Sequence, residues 1–279
     1  MKKQSLAGWY QHPDALYHSI YAINSSMVMR AYRSLYTVVN YKEVQTKAMI
    51  FGSAVHLAVL QPEKFKKRVV EKPKFTGKGA REAAKEFETN SKNLIVLSTE
   101  EFEKAQLIAE AVRKNQRAQE LLTGCIFESA GYLPIELAGE HAPKLIKIKP
   151  DARDIKNRRI IDLKTTKDAS YDAFSASVVN YLYHLQAAFY LWVANRIEEY
   201  FETGIEYTDF YWIAVEKEFP FQTAVYHASP EFLRIGAYEW DATFIRIAKA
   251  FEKNEFPSYE GGELLPPAWF SKKYNLLFE

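Results

Sequence analysis

The triplet Asp162-Leu163-Lys164 constrains this chain more than any other stretch. The residues from Ile160 to Lys164 read as a short buried strand, and strand side chains alternate between faces. Asp162 and Lys164 then point the same way, while Ile161 and Leu163 enter the opposite layer. A second carboxylate, Asp151, lies eleven residues upstream after Lys149-Pro150. Two carboxylates and an ammonium at a strand end can hold a divalent cation and orient a water, which is the equipment for metal-assisted phosphodiester hydrolysis. The same triplet also makes an ordinary ion pair on an edge strand, so its surroundings decide.

The chain has 279 residues, 48% of them hydrophobic, enough for one large domain or two small ones. With 18 Tyr, 18 Phe and 5 Trp it belongs to neither the disordered nor the fibrous classes. Cys125 is the single cysteine, which excludes an internal disulfide framework and a four-cysteine metal cluster. His12, Asp14 and His18 interrupt the region where a signal peptide needs its apolar run. No stretch approaches the roughly 18 apolar residues of a membrane span. These features predict a soluble, cytoplasmic protein with no membrane partner.

Net charge is only +2, but it is unevenly placed. From Lys64 to Lys92 there are ten Lys/Arg against four Asp/Glu, and from Lys144 to Asp168 nine against four. From Val193 to Glu260 the balance reverses, with six basic and thirteen acidic residues. A basic side around the opening triplet would suit a polyanion.

Periodicity and capping signals give a coarse map. Residues 1–24 read as irregular and aromatic-rich. Asn24-Ser25-Ser26 caps a helix through Tyr32. A second helix, about Gln45 to Leu60, is apolar nearly all round, carries His56, and ends at Pro62. Residues 72–92 read as a loop and a loosely held helix, a candidate flap over a substrate. Ser98 and Glu101 form a capping box for a helix to about Asn115, and a shorter helix stops at Gly124. Three strands follow, Cys125 to Leu133, Lys144 to Lys149 and Arg158 to Lys164. Then come helices Tyr171 to Asn180 and Tyr181 to Tyr200, and strands Thr208 to Val215 and Phe221 to His227. A long helix runs from Ser229-Pro230 to about Asn254, and the tail from 257 to 279 reads as extended. The order predicts a mixed α/β fold with extra N-terminal helices.

Several residues could join the triplet. His56 lies mid-helix. Glu128 falls inside the predicted strand from Cys125, on the face of Ile126 and Ala130, where a carboxylate needs a partner such as a metal. Asp151 or Asp154 completes the set. Gln186 and Tyr190, four apart on one helix face, could reach a phosphate or orient Lys164. There is no Gly-rich phosphate loop, Gly-x-Ser-x-Gly, His-Glu-x-x-His or zinc spacing.

In order, Gly52-Ser53-Ala54-Val55-His56, Leu60-Gln61-Pro62, Glu128, Pro150-Asp151, Asp162-Leu163-Lys164-Thr165-Thr166 and Gln186-Ala187-Ala188-Phe189-Tyr190 resemble the signature of the RecE (exonuclease VIII) nuclease domain. That domain belongs to the PD-(D/E)XK superfamily, with lambda exonuclease and the RecB nuclease domain. The resemblance runs from about Ser25 through the long last helix. It implies a single nuclease domain with a restriction-endonuclease-like core, about 45–60 and 125–228: a central mixed sheet flanked by helices. It implies a 5′-to-3′ exonuclease that leaves 3′ overhangs on double-stranded DNA ends for recombination and repair, phage- or bacterially encoded. Mg²⁺, or Mn²⁺ in its place, would be held by His56, Asp151, Asp162 and the Leu163 carbonyl. Lys164 would be the catalytic lysine, Glu128 an additional acid, and Gln186 and Tyr190 the supporting helix motif. The family further implies a homo-oligomeric ring, tetramer or trimer, and a RecT-like single-strand annealing partner. Lys149 stands where an Arg was expected. The resemblance implies the nuclease module alone, without the long N-terminal extension of the largest relatives. Thr165, Thr166, Lys149, Ser25 and Arg30, with Arg33, are candidate DNA contacts. The competing readings are a catalytically silent DNA-binding or assembly module, and an endonuclease of the same superfamily.

Overall fold

The structure is a computed structural model and describes residues 6–42 and 44–274. In chain order its elements are β1 (Gly8–Tyr10), α1 (Asp14–Ser19), α2 (Ser25–Arg33), α3 (Tyr36–Asn40), α4 (Lys47–Leu60), α5 (Pro62–Arg68), β2 (Val69–Glu71), α6 (Ala80–Asn90), β3 (Ile95–Leu97), α7 (Thr99–Lys114), α8 (Gln116–Leu122), β4 (Ile126–Phe127), β5 (Ala130–Pro134), β6 (Leu145–Ile148), β7 (Ala152–Asp154), β8 (Arg159–Thr166), α9 (Tyr171–Asn180), α10 (Tyr183–Tyr200), β9 (Asp209–Glu216), β10 (Thr223–His227), α11 (Pro230–Lys253) and α12 (Ala268–Tyr274). No helix among the described residues is long and apolar enough to cross a membrane.

A five-stranded mixed sheet, ordered β10-β9-β8-β7-β4, forms the centre. Only β8 and β9 run parallel in it, and the helices α9 and α10 make the crossover that such a pair requires. Alternation along β8 separates two hydrophobic layers. Ile160 joins Phe210, Trp212 and Ala214 under α10 and α11. Ile161 and Leu163 join Ile213 and Val215 under α4, α7 and α8. A second sheet, β1-β5-β6, is antiparallel, and α10 packs against it as well as against β9. This is the mixed α/β core flanked by helices that the element order predicts.

The helix starts follow their caps. Asn24 Oδ1 accepts from the Met27 N–H at 2.9 Å, and Thr46 Oγ1 from the Met49 N–H at 3.2 Å. Ser98 and Glu101 form the reciprocal capping box. Pro62 ends α4 but does not end helical structure: it opens α5 at a position where its missing N–H has no partner to lose. The helix α4 buries Phe51, Ala54, Val55, Ala58 and Leu60 but leaves Met49 42% exposed, so one side of it meets solvent. α6 has no buried residue.

Other sequence expectations need correction. The first residues are not wholly irregular, since β1 pairs with β5 and α1 follows. The parallel pair β2-β3 and the three-residue β7 have no counterpart in the sequence map. The predicted strand from Cys125 to Leu133 is two strands in two different sheets. The tail contains α12, and its last five residues lie outside those described.

Packing of α10 against α11 sets the position of the helix that carries Gln186 and Tyr190. Gly236 on α11 makes that approach close: a Cβ there would sit 2.3 Å from the His184 carbonyl oxygen. Alanine gains up to about 1 kcal/mol in helix propensity over glycine. Overpacking against a backbone atom costs about 1–3 kcal/mol, so the clash wins. Gly236→Ala is therefore expected to lower the thermal midpoint, by the equivalent of about 1–2 kcal/mol in urea titration; an unchanged or raised midpoint would show that the helices separate freely.

Candidate metal-dependent hydrolytic site

The chain crosses between the two sheets twice, and the candidate acids stand at the crossings. It leaves the central sheet after β4 at Glu128 and returns before β7 at Asp151. Glu128 has φ of 52°, the left-handed region, which costs a non-glycine residue about 1–2 kcal/mol. Its N–H donates to the Asp151 carbonyl at 3.0 Å, tying the crossings together. Glu128 is thus a kink residue and not the mid-strand carboxylate predicted on the face of Ile126 and Ala130; the alternation ends where the chain changes sheets.

Because β7 pairs only with Arg159 to Ile161, β8 runs on past it from Asp162. Asp151 Oδ2 fills the gap by accepting from the Leu163 N–H at 2.6 Å. A strand residue turns its N–H and C=O to the same side, so the Leu163 carbonyl also faces this fork. The other oxygen, Oδ1, is 3.1 Å from His56 Nδ1 on α4. One ligand atom each from His56, Glu128 and Asp151 lies within 4.8 Å of the others.

The charges perturb each other. Burial acts against the His56 cation, but Asp151, Glu128 and Asp162 outweigh it and hold the imidazole at about 9. Burial would raise Asp151, yet His56, Lys164 and the Leu163 N–H bring it below the usual carboxylate range. Burial and the Asp151 charge push Glu128 up, against Lys149 and His56.

The opening triplet sits beside this group. Asp162 Oδ2 is buried and lies 2.6 Å from Lys164 Nζ, its ion-pair partner. Burial and Asp151 raise Asp162 to about 6 despite Lys164. Lys164 donates to Gln186 Oε1 at 3.0 Å and lies 4.4 Å from the centre of the Tyr183 ring. Burial alone would lower the Lys164 ammonium, but Asp162 and Asp151 hold it well above the ordinary lysine value. Burial and Asp162 lift Tyr190 to about 12, and Ser25 and Gln186, beside its phenol, act against that rise. Gln186, Tyr190 and Ser25 therefore form one chain of contacts behind Lys164.

The remaining predicted residues divide. Lys149 is 2.8 Å from Glu128 Oε2 and also bonds Asp14, so it is held by two carboxylates instead of being presented to a ligand. Thr165 and Thr166 continue β8, and the Thr166 hydroxyl donates to the Asp168 carbonyl at 3.0 Å. Arg30 packs 4.0 Å over the Tyr41 ring, and Arg33 donates to the Asn180 carbonyl at 2.8 Å. Asp154 stands at the far end of β7, accepting from the Asn157 N–H and from Arg159 at 2.9 Å each. The geometry thus favours Asp151 over Asp154. Asp14 and Tyr183 were missed; Asp14 stands in a segment read as irregular, and Tyr183 in a helix read only for Gln186 and Tyr190.

Residues 35–264 match the family described as a PDDEXK-like domain of unknown function (DUF3799). The chain belongs to that family. This confirms the superfamily named from the sequence motifs. The crystal structure of a "putative exonuclease" from Eubacterium rectale has the same fold, with a TM-score of 0.57, 15% identity, and coverage of 96% of this chain and 98% of that one. A phage-related exonuclease from Haemophilus somnus 129PT aligns over 85% of this chain and 96% of its own, but a TM-score of 0.34 at 10% identity bears no weight. No curated protein matches the chain.

The PDDEXK-like donors suit a hard divalent cation: two carboxylates and an imidazole within 4.8 Å, a strand carbonyl facing the fork, and the buried Asp162 carboxylate nearby. Asp162 faces Lys164 and is not part of the close group, so its carboxylate would have to turn to join it.

Asp154 offers a separable test. Burial raises its carboxyl, but Asn157 and Arg159 bring it below the usual value. A depressed carboxylate contributes stability that is present above its unfolded value and lost as pH falls through the folded one. Asp154→Asn is expected to destabilise by about 1–3 kcal/mol at pH 7. The deficit should shrink as pH falls below 4, in urea titrations from pH 7 to 2, with any hydrolysis unaffected at pH 7.

Proposed function

We propose that this chain is a divalent-metal-dependent exodeoxyribonuclease acting on double-stranded DNA ends. One juxtaposition carries the reading: Asp162, Lys164 and Gln186 meet His56, Glu128 and Asp151 at a single fork between sheets. The family match and the shared fold support it. Mg²⁺, or Mn²⁺, would be held by His56, Glu128 and Asp151, with the Leu163 carbonyl and Asp162 as further ligands. When bound, a divalent cation polarises a phosphoryl oxygen and lowers the pKa of water. Lys164 is charged, so it cannot accept the proton of the attacking water; its ammonium orients that water and stabilises the negative charge growing on the phosphate. Asp162, Gln186 and the Tyr183 ring fix its position.

The basic run supports a nucleic-acid substrate. All ten Lys/Arg from Lys64 to Lys92 are exposed, and Arg68 is close enough for its charge to act on Asp14, which bonds Lys149 beside the site. A basic ridge leading to a hydrolytic fork suits a phosphate backbone. The RecE-like motif order further suggests 5′-to-3′ polarity, 3′ overhangs for strand annealing with a RecT-like partner, and a trimeric or tetrameric ring.

A time course on linear duplex DNA labelled at one 5′ end, in Mg²⁺ and in EDTA, tests activity, metal need and polarity together. Early release of labelled mononucleotide in Mg²⁺ alone is expected. Asp162→Ala and Lys164→Ala should each slow release by about a thousandfold. Undiminished digestion by both variants sinks the assignment, and nicking of closed circular DNA would make the chain an endonuclease.

A further inference from the structure

Next to Lys164 stands an aromatic pair of which the hydrolytic reading uses only Tyr183, as a support for the lysine. Tyr183 opens α10 and is half-buried against Lys164 and Phe174. Tyr181, just before it, stacks on Tyr183 with ring centres 5.6 Å apart and planes 28° from parallel. Tyr181 is 61% exposed. Residues two apart on a regular helix do not face each other. These two rings meet because Leu182 between them takes φ 59° and ψ 34°, breaking the path from α9 into α10. That conformation is unfavourable for a branched side chain, and such outliers concentrate at working sites. Leu182 is buried and anchors the kink, which leaves one ring fixed against the lysine and the other in solvent.

We infer that Tyr181 and Tyr183 form a stacking platform for the unpaired terminal nucleobase of the strand whose phosphate lies at Lys164. The inference rests on the proposed nuclease reading and adds the contact that holds the end of the strand. An exposed ring on a rigid neighbour offers a base a flat partner at little loss of side-chain freedom, and stacking accepts every base, as a sequence-independent nuclease requires. Arg33 stands on the rim, donating to the carbonyl of Asn180 immediately before Tyr181, where its charge can face the adjoining phosphate. The platform binds a base only after the last pair has opened, so it favours frayed ends over the interior of a duplex.

Ultraviolet crosslinking of the full chain to linear duplex carrying 5-iododeoxyuridine tests this, in EDTA and in Ca²⁺, with the label at either terminus or in the centre. The expected crosslink maps to Tyr181 from a terminal label and not from the central one. Tyr181→Phe should keep crosslink and affinity. Tyr181→Ala should abolish the crosslink and raise the dissociation constant roughly tenfold, whereas Tyr171→Ala, a more exposed control, should change neither. Bound duplex that gives no Tyr181 crosslink, or a Tyr181→Ala affinity within twofold of wild type, overturns the platform and leaves the nuclease reading standing. Wild-type protein that neither binds nor digests linear duplex overturns both.

Discussion

The Asp151 carboxylate is the contact on which the site depends. One oxygen accepts the Leu163 N–H left free where β7 stops, and the other meets His56. A buried N–H without a partner costs about 1–3 kcal/mol, so this side chain stands in for a missing strand. Doing so requires Asp151 to be at the second crossing between the sheets. That crossing is held in turn by the Glu128 N–H on the Asp151 carbonyl and by the bridge between Ile23 and Ile146, which ties the start of α2 to β6. Backbone topology thus fixes where a carboxylate must be, and the carboxylate's second oxygen is what makes the position chemical.

A cluster of this kind is unfavourable to fold. Asp162 at about 6 and Glu128, also raised, show that the site holds negative charge where burial opposes it. Each acid is opposed by a nearby cation: Lys164 for Asp162, Lys149 for Glu128, His56 for Asp151. Buried ion pairs of this sort seldom add net stability, so the cluster is carried by the two hydrophobic layers on either side of the central sheet. Lys149 belongs to this balance. Its ammonium lies between Glu128 and Asp14, whereas the Lys/Arg of α5 and α6 are exposed.

The sequence revealed the parts of the site that lie within one element. Period-two alternation placed Asp162 and Lys164 on one face of β8, and helical spacing put Gln186 and Tyr190 together on α10. It failed where the chain changes element. The apolar run from Cys125 to Leu133 keeps the look of one strand through Glu128, because alternation carries no sign of which sheet a residue joins. Strands of two or three residues, such as β4, β7 and β2, are too short to show a period at all. Asp151 and Asp154 were indistinguishable by type, and only their partners separate them: the Leu163 N–H and His56 for Asp151, Asn157 and Arg159 for Asp154. Tyr181 was read as the start of a helix; the left-handed Leu182 that makes it stack on Tyr183 has no signature, since leucine ordinarily avoids that conformation.

The fork also explains why residues from opposite faces of a sheet can act on one point. His56 comes from α4, on the layer that covers Leu163, and Gln186 from α10, on the layer that covers Ile160. An unbroken sheet keeps such layers apart, because its side chains alternate between the two faces. Where β7 ends and β6 turns away into the other sheet, that barrier is interrupted beside Asp162 and Leu163. Asp162, on one face of β8, and the Leu163 N–H, at the strand's open edge, can then share Asp151 as a neighbour. The length of β7 therefore sets the geometry of the fork. Two more paired residues would satisfy the Leu163 N–H with backbone, release Asp151, and close the edge through which His56 reaches the strand.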